Sequence, residues 1–329
     1  MNTQPIFNSF EKQNATLWGQ VPQMLTHRLD KSELFGMGAL AKLLDAYPRE
    51  HYNLVQWGAQ GTQRGSWREG EIGGLSGDEA INAIAKGRIW INMRNVPGVD
   101  ARYGELLAAI FKELKGYMPD FDTFTHKLGI LISSPGSRTL YHADLPGQSL
   151  WQIAGRKRVY VYPPVKPFLA PEHIEGIALS GVEVNMPYEP WYDQHAQAFD
   201  LEPGQMLHWQ LNAPHRVDNY DCLNVSMTLE YFTDEIRREH IVTVANGIMR
   251  SKLGIVPKTR VTTGPSFLAK AVMQKALRNT AWVKSERKKR PIDFRLDRHN
   301  PGAIIDLAGA RVAGPEKELP AEKTLAAAE

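Results

Sequence analysis

Apolar residues recur at three- and four-residue spacing over 32–47 and again over 99–117, which predicts two amphipathic helices stopped by Pro48 and Pro119. Between them, residues 88–96 (RIWINMRNV) alternate apolar and polar as a half-buried strand does. From about residue 121 the texture changes. Short apolar runs at 127–133, 139–143, 149–153, 158–162, 205–210 and 222–232 are punctuated by Gly and Pro, a pattern of short strands that predicts an antiparallel barrel or double-sheet jelly roll. Helical spacing returns over 234–251 and 266–280. The chain therefore divides into an α/β lead-in (1–120) packed on a barrel, a jelly-roll core (121–232) and a helical C-terminal region (233–310). A terminal stretch (311–329) with few large apolar residues is expected to be flexible.

At 329 residues, with 43% hydrophobic and 23% charged positions, the chain can bury a sizeable core, so its chemistry must be sought in local constellations. Its single cysteine, Cys222, cannot form an internal disulfide or a Cys-rich zinc site, which points to a reducing, cytoplasmic setting. The first residues lack the basic start and apolar run of an export signal, and no stretch is long and apolar enough to span a membrane. The net charge of +3 is unevenly placed. Between Arg237 and Arg290 fourteen Lys/Arg face only Glu239 and Glu286, a local net of +12. That run reads as a solvated helical face or a dimer contact, with nucleic-acid binding the less expected use.

One constellation carries chemistry. In Tyr141-His142-Ala143-Asp144, residues two apart on an extended strand project to one side, so His142 and Asp144 could chelate a single ion. A third ligand should come from a distant strand facing the same interior. The stretch 201–217 (LEPGQMLHWQLNAPHRV) offers it: a Gly turn, an apolar strand and then His215, 73 residues after His142. Two histidines and one carboxylate hold ferrous iron while leaving positions open. His208, on the same strand as His215's approach, is a further possible ligand, but its Trp209 neighbour favours packing.

The ordered set Thr139 to Asp144, then Trp151 to Pro164 (WQIAGRKRVYVYPP), then Gly204 to His215 resembles the cupin-like JmjC hydroxylases, a family that includes an asparaginyl hydroxylase. The resemblance spans roughly residues 139–232. It implies a double-stranded β-helix (cupin) barrel, an Fe(II)- and 2-oxoglutarate-dependent dioxygenase, and His142, Asp144 and His215 as metal ligands. It also implies Lys157 and Thr139 as the groups that bind the far carboxylate of 2-oxoglutarate, and a homodimer formed through the C-terminal helices. Strict alternation puts Thr139 on the face opposite His142, so a bend or bulge must reverse it. A one-residue slip would promote Arg156 or Arg158 to the role of Lys157. The chain departs from the family at Gln205, at Trp209-Gln210, and at Glu230, where the asparaginyl hydroxylase has an asparagine near the cosubstrate.

Other features carry two readings each. The insertion 165–199, with His173, His195 and the aromatic run 186–192, is either an irregular surface loop or a lid over the barrel mouth. Trp57, Arg64, Trp67 and Trp90 are expected in the core of the lead-in rather than in a pocket. The prime substrate, a protein side chain or a small molecule, is not legible. A non-catalytic metal- or ligand-binding barrel that regulates through its basic helices is the rival reading, and a different metal-dependent enzyme on the same fold is a third.

Overall fold

The computed structural model describes residues 4–56, 68–181, 186–284 and 291–307. Trp57, Arg64, Trp67 and the tail 311–329 lie outside the described residues. Before the core come β1 (Gln23–Thr26), β2 (Tyr52–Gln56), β3 (Arg68–Glu71) and β4 (Ile89–Met93). The core strands are β5 (Phe124–Ser133), β6 (Arg138–His142), β7 (Gly147–Ala154), β8 (Lys157–Val161), β9 (Gln197–Leu201), β10 (Gln205–His208), β11 (His215–Asn219) and β12 (Asn224–Phe232). The chain closes with β13 (Ile292–Leu296) and β14 (Ile304–Asp306). Its helices are α1 (Lys12–Leu17), α2 (Met37–Asp45), α3 (Gly77–Lys86), α4 (Val96–Val99), α5 (Ala101–Tyr117), α6 (Pro171–Ser180), α7 (Asp234–Leu253), α8 (Gly264–Leu277) and α9 (Ala281–Lys284). Among the described residues no helix is long and apolar enough to cross a membrane.

The helix ends follow from local chemistry. Ser76 and Glu79 form a reciprocal capping box at the start of α3, the Thr233 hydroxyl accepts from the Ile236 amide at the start of α7, and Gly254 ends α7 in the left-handed conformation. The helix predicted over 99–117 begins at Ala101, where the Asp100 carboxylate accepts from the Arg102 amide. Strand β4 shows the expected alternation of buried and half-buried positions, with Trp90 beside Val55 and Ser133 of its neighbours.

The strands form two sheets. The larger runs β1-β10-β7-β12-β5-β4-β2-β3-β13-β14, and the smaller runs β6-β11-β8-β9. From β5 to β12 the chain alternates between them except at β8 and β9, which are neighbours in the smaller sheet; β5, β7, β10 and β12 lie in the larger sheet and β6, β8, β9 and β11 in the smaller. The result is a mixed α/β fold with C-terminal helices.

Burial is layered accordingly. On one face of the large sheet Trp151, Met206, Val225 and Met227 join the main core with Phe7, Leu40 and Ile110 from the N-terminal half. Its other face contributes Leu150 and Leu207 to a second core with Val159, Val161, Leu201 and Val217 of the small sheet. Behind the small sheet, Tyr141 and Tyr162 pack with Phe168, Ile174, Ile177 and Tyr192 from the insertion between β8 and β9. Two-residue alternation decides this sorting: Tyr141 and His142, adjacent on β6, are sent to opposite faces.

Candidate metal centre

Strand β6 carries the first ligand and a local irregularity that matters. Along β11, His215 and Val217 lie two residues apart and share a face, and they pair with His142 and Thr139, which lie three apart. One extra residue in β6 absorbs the difference, a β-bulge that brings Thr139 round to the His142 side. The reversal required by the sequence is therefore present.

Asp144 follows β6 in a loop that returns at once into β7. The Gln148 side-chain amide donates to its Oδ2, and the Asn212 side-chain amide donates to its backbone carbonyl at 2.6 Å. Asn212 sits at φ 59°, a left-handed turn that Asn tolerates better than most residues, in the connection that delivers His215. The Trp209 ring lies 4.7 Å from that of His215 and buttresses it.

The three side chains converge. Nε2 of His215 is 3.3 Å and Nε2 of His142 is 3.9 Å from Oδ2 of Asp144, and one ligand atom from each residue lies within 4.8 Å of the others. Both separations fall within the ~4 Å that two donors can span when each is about 2.1 Å from one ion. Each imidazole is oriented from behind: Nδ1 of His142 donates to the Leu140 carbonyl at 2.7 Å, and Nδ1 of His215 to the Ala213 carbonyl at 3.1 Å. The Nε2 lone pairs are thereby left for a cation. Burial pushes the Asp144 carboxyl up. The Gln148 amide, together with the hydrogen bond from His215 and the charges that the two imidazoles carry when protonated in the metal-free site, outweighs it and holds the group at about 2. The donor set, two neutral-nitrogen ligands and an ionised carboxylate, fits ferrous iron.

Lys157 opens β8, where burial alternates. Lys157, Val159 and Val161 point inward, with Lys157 only 4% exposed, and Arg158 and Tyr160 point out. Arg158 is engaged with Asp200 at 2.7 and 2.6 Å, and Arg156 with Glu202 at 3.2 Å. Lys157 has no hydrogen-bond or ion-pair partner among the described residues. Burial lowers its pKa to about 7, only partly opposed by Cys222. Register places it opposite Asn219, on the side of β11 shared with Val217 and His215.

The remaining candidates go elsewhere. His208 turns to the outer face of the large sheet, stacks on Trp18 with ring centroids 3.9 Å apart, and donates from Nδ1 to the Gln148 carbonyl. Burial drops its pKa to about 4. It is a packing residue. Glu230 pairs with Lys127 at 2.8 Å. His195 packs against Phe168 and Trp191, and neither it nor His173 joins the cluster of possible ligands. The described part of the insertion packs on the face of the small sheet behind Tyr141, away from the side of β6 that bears His142, because Tyr141, Tyr162 and Phe168 build their own core there. Arg216, next to His215, fastens it by bonding Asp193 and the Tyr162 hydroxyl while lying over the Tyr160 ring.

A cavity of about 700 Å³ opens where β7 begins and β10 and β12 end. Trp18, Phe121, Trp209 and Tyr231 wall it, and its charged lining residues are Asp120, Glu235 and Glu239 against Lys12. Trp209 thus touches both the cavity and His215. Gln148 and Asn212 escaped the reading of the sequence. The only available signal was an amide four residues after Asp144 and another in the turn before His215, and neither spacing is distinctive without the fold.

No protein-family profile and no curated protein matches this chain. Among solved structures it is similar to the X-ray structure of Escherichia coli YcfD, with a TM-score of 0.49 and 16% identity, over 88% of this chain and 75% of that one. It is likewise similar to a structure of YcfD, described as a ribosomal oxygenase, in complex with cobalt and 2-oxoglutarate, with a TM-score of 0.48 and 16% identity over 89% and 75% of the two chains. A structure of DMSP lyases matches over 33% of this chain and 39% of that one, with a TM-score of 0.21 and 18% identity.

Proposed function

We propose that the two sheets are the halves of a jelly-roll barrel and that the protein is an Fe(II)- and 2-oxoglutarate-dependent oxygenase. The observation that carries this reading is the convergence of His142, Asp144 and His215, each held by a hydrogen bond, on one point, with the buried Lys157 on the same face of the small sheet four residues along β8 from the partner of His215. Oxidation of a substrate C–H bond by dioxygen, coupled to conversion of 2-oxoglutarate to succinate and carbon dioxide, is the chemistry that bound iron supplies.

The chain's own residues place and shield the reactants. His142 and His215 offer Nε2, and Asp144 stays ionised across the working pH range. Gln148 and Asn212 fix the loop that carries the carboxylate. Lys157 supplies a cation for the far carboxylate of the cosubstrate, and Thr139, turned inward by the bulge, supplies a hydroxyl. Leu150, Val159, Val161 and Leu207 keep the space between the sheets apolar, which strengthens both interactions. The cavity that shares Trp209 with the metal centre is the place for the prime substrate, and its aromatic walls and net acidic lining suit an apolar body bearing positive charge.

The test is anaerobic reconstitution with Fe(II) and 2-oxoglutarate, admission of oxygen, and measurement of succinate. We expect metal-dependent succinate from the wild type and none from His142→Ala or His215→Ala. Lys157→Ala should retain iron and lose cosubstrate affinity. Equal succinate from wild type and both histidine variants overturns the assignment.

A further inference from the structure

Helix α8 is turned inside out. It buries Phe267, Lys270 and Gln274 and exposes Leu268 (62%) and Val272 (69%). Of its two buried polar side chains, Lys270 is satisfied, since its ammonium donates to the Thr259 carbonyl and hydroxyl. Gln274 is not. At 4% exposure its side-chain amide makes no hydrogen bond among the described residues, and it lines a cavity of about 160 Å³ enclosed by α6, α7, α8 and α9. That volume is about five times what one water occupies in the liquid.

Three more polar groups meet there. His240 on α7 has a buried Nδ1 with no partner. Arg278, just past the end of α8, has no ion-pair partner among the described residues, and Asn279 follows it. Among the described residues no carboxylate lines the cavity. Glu175, on α6, is held by Arg250 at 2.8 Å and Arg260 at 3.3 Å, so it does not neutralise Arg278. The His240 Nδ1 is left unmet in the interior, a desolvation cost that an acceptor-rich occupant removes. Burial and then the Arg278 charge disfavour protonation of His240, as expected where positive potential has no counter-ion.

We infer that this cavity is a binding site for a small oxyanion, a phosphate or a carboxylate group, held by Arg278 and Asn279 from the rim and by Gln274 and the His240 Nδ1–H from within. All four groups can donate, and an oxyanion offers only acceptors. The site joins the insertion helix α6 to the C-terminal helices, so occupancy ties those elements together. It does not depend on the metal centre.

The experiment uses the full-length protein without added metal. Thermal midpoints are followed against sodium phosphate and sodium acetate, with sodium chloride at matched ionic strength as the baseline, and dissociation constants are taken from calorimetric titration. A saturable rise with phosphate or acetate over chloride is expected, and which one acts reports the geometry of the group. Arg278→Gln, at an exposed position that leaves the fold intact, should weaken binding about ten- to a hundredfold, the loss typical of a charged hydrogen bond. Gln274→Leu should abolish the response. Phosphate and acetate both behaving as chloride, or an unchanged dissociation constant in both variants, overturns the proposal. The same titration on His142→Ala should match the wild type, which separates this site from the oxygenase reading.

Discussion

Replacing Lys157 by methionine removes a buried charge with almost no change of shape, and the consequence can be worked out from the structure. The ammonium has no counter-ion among the described residues, and burial brings its pKa from the ordinary 10.5 to about 7. The folded chain therefore releases this proton well before the unfolded chain does. Below pH 7 both states hold the proton and the full penalty is present, about 5 kcal/mol for that pKa gap. Between pH 7 and 10.5 the unfolded chain binds more protons, so stability rises by about 1.4 kcal/mol per pH unit and the penalty vanishes near the upper limit. Lys157→Met should then be more stable than the wild type by about 4 kcal/mol at pH 7 and by about 2 kcal/mol at pH 9. Urea denaturation of both proteins at these pH values, with equal denaturant slopes, measures the difference directly. Succinate should stabilise the wild type by giving the ammonium a partner and leave the methionine variant unaffected. A variant that is less stable at pH 7, or a difference that does not shrink as pH rises, refutes the idea of an unpaired interior cation.

Three further outcomes are expected. Asn212→Gly keeps the left-handed turn and loses the bond to the Asp144 carbonyl, so cobalt affinity by calorimetry should drop about ten- to a hundredfold with little change in folding. Asn212→Ala should add roughly 1–2 kcal/mol of instability from backbone strain, and equal melting of the two variants would count against that. Glu175→Gln leaves Arg250 and Arg260, each about a third exposed, around a neutral buried group and should cost about 1–3 kcal/mol in denaturation experiments; a loss under about 0.5 kcal/mol would mean that the pairs are mere surface contacts. Arg216→Met should release the 3-10 segment Pro190–His195 from β11, seen as faster proteolysis within it while α7 stays protected.

Much of the architecture was written locally. Helix α5, strand β4 and most core strands follow from apolar spacing and from Gly and Pro breaks, because burying one face of a helix or strand demands that period whatever the partner. The short edge and return strands β9 and β11 carried no such signal. β9 is mostly exposed, and β11 is polar at four of its five positions, so neither announces itself as a strand.

The centre divides in the same way. His142 and Asp144 could be paired from sequence because two-residue spacing on a strand is a local rule, and His215 from a resemblance in the order of motifs. Tertiary structure alone decided that Thr139 turns inward, since the extra residue in β6 exists only as a mismatch with β11. Alternation already turned Arg156 and Arg158 away from Lys157 and the Trp209 neighbour favoured packing for His208, but only the tertiary structure supplied Glu202, Asp200 and Trp18 as their partners and left Lys157 inside without an acid among the described residues. Sequence determines which face a side chain occupies relative to its neighbours in the strand. Which of the two faces becomes interior, and what charge waits there, depends on strands far apart in the chain, and no local pattern encodes that pairing.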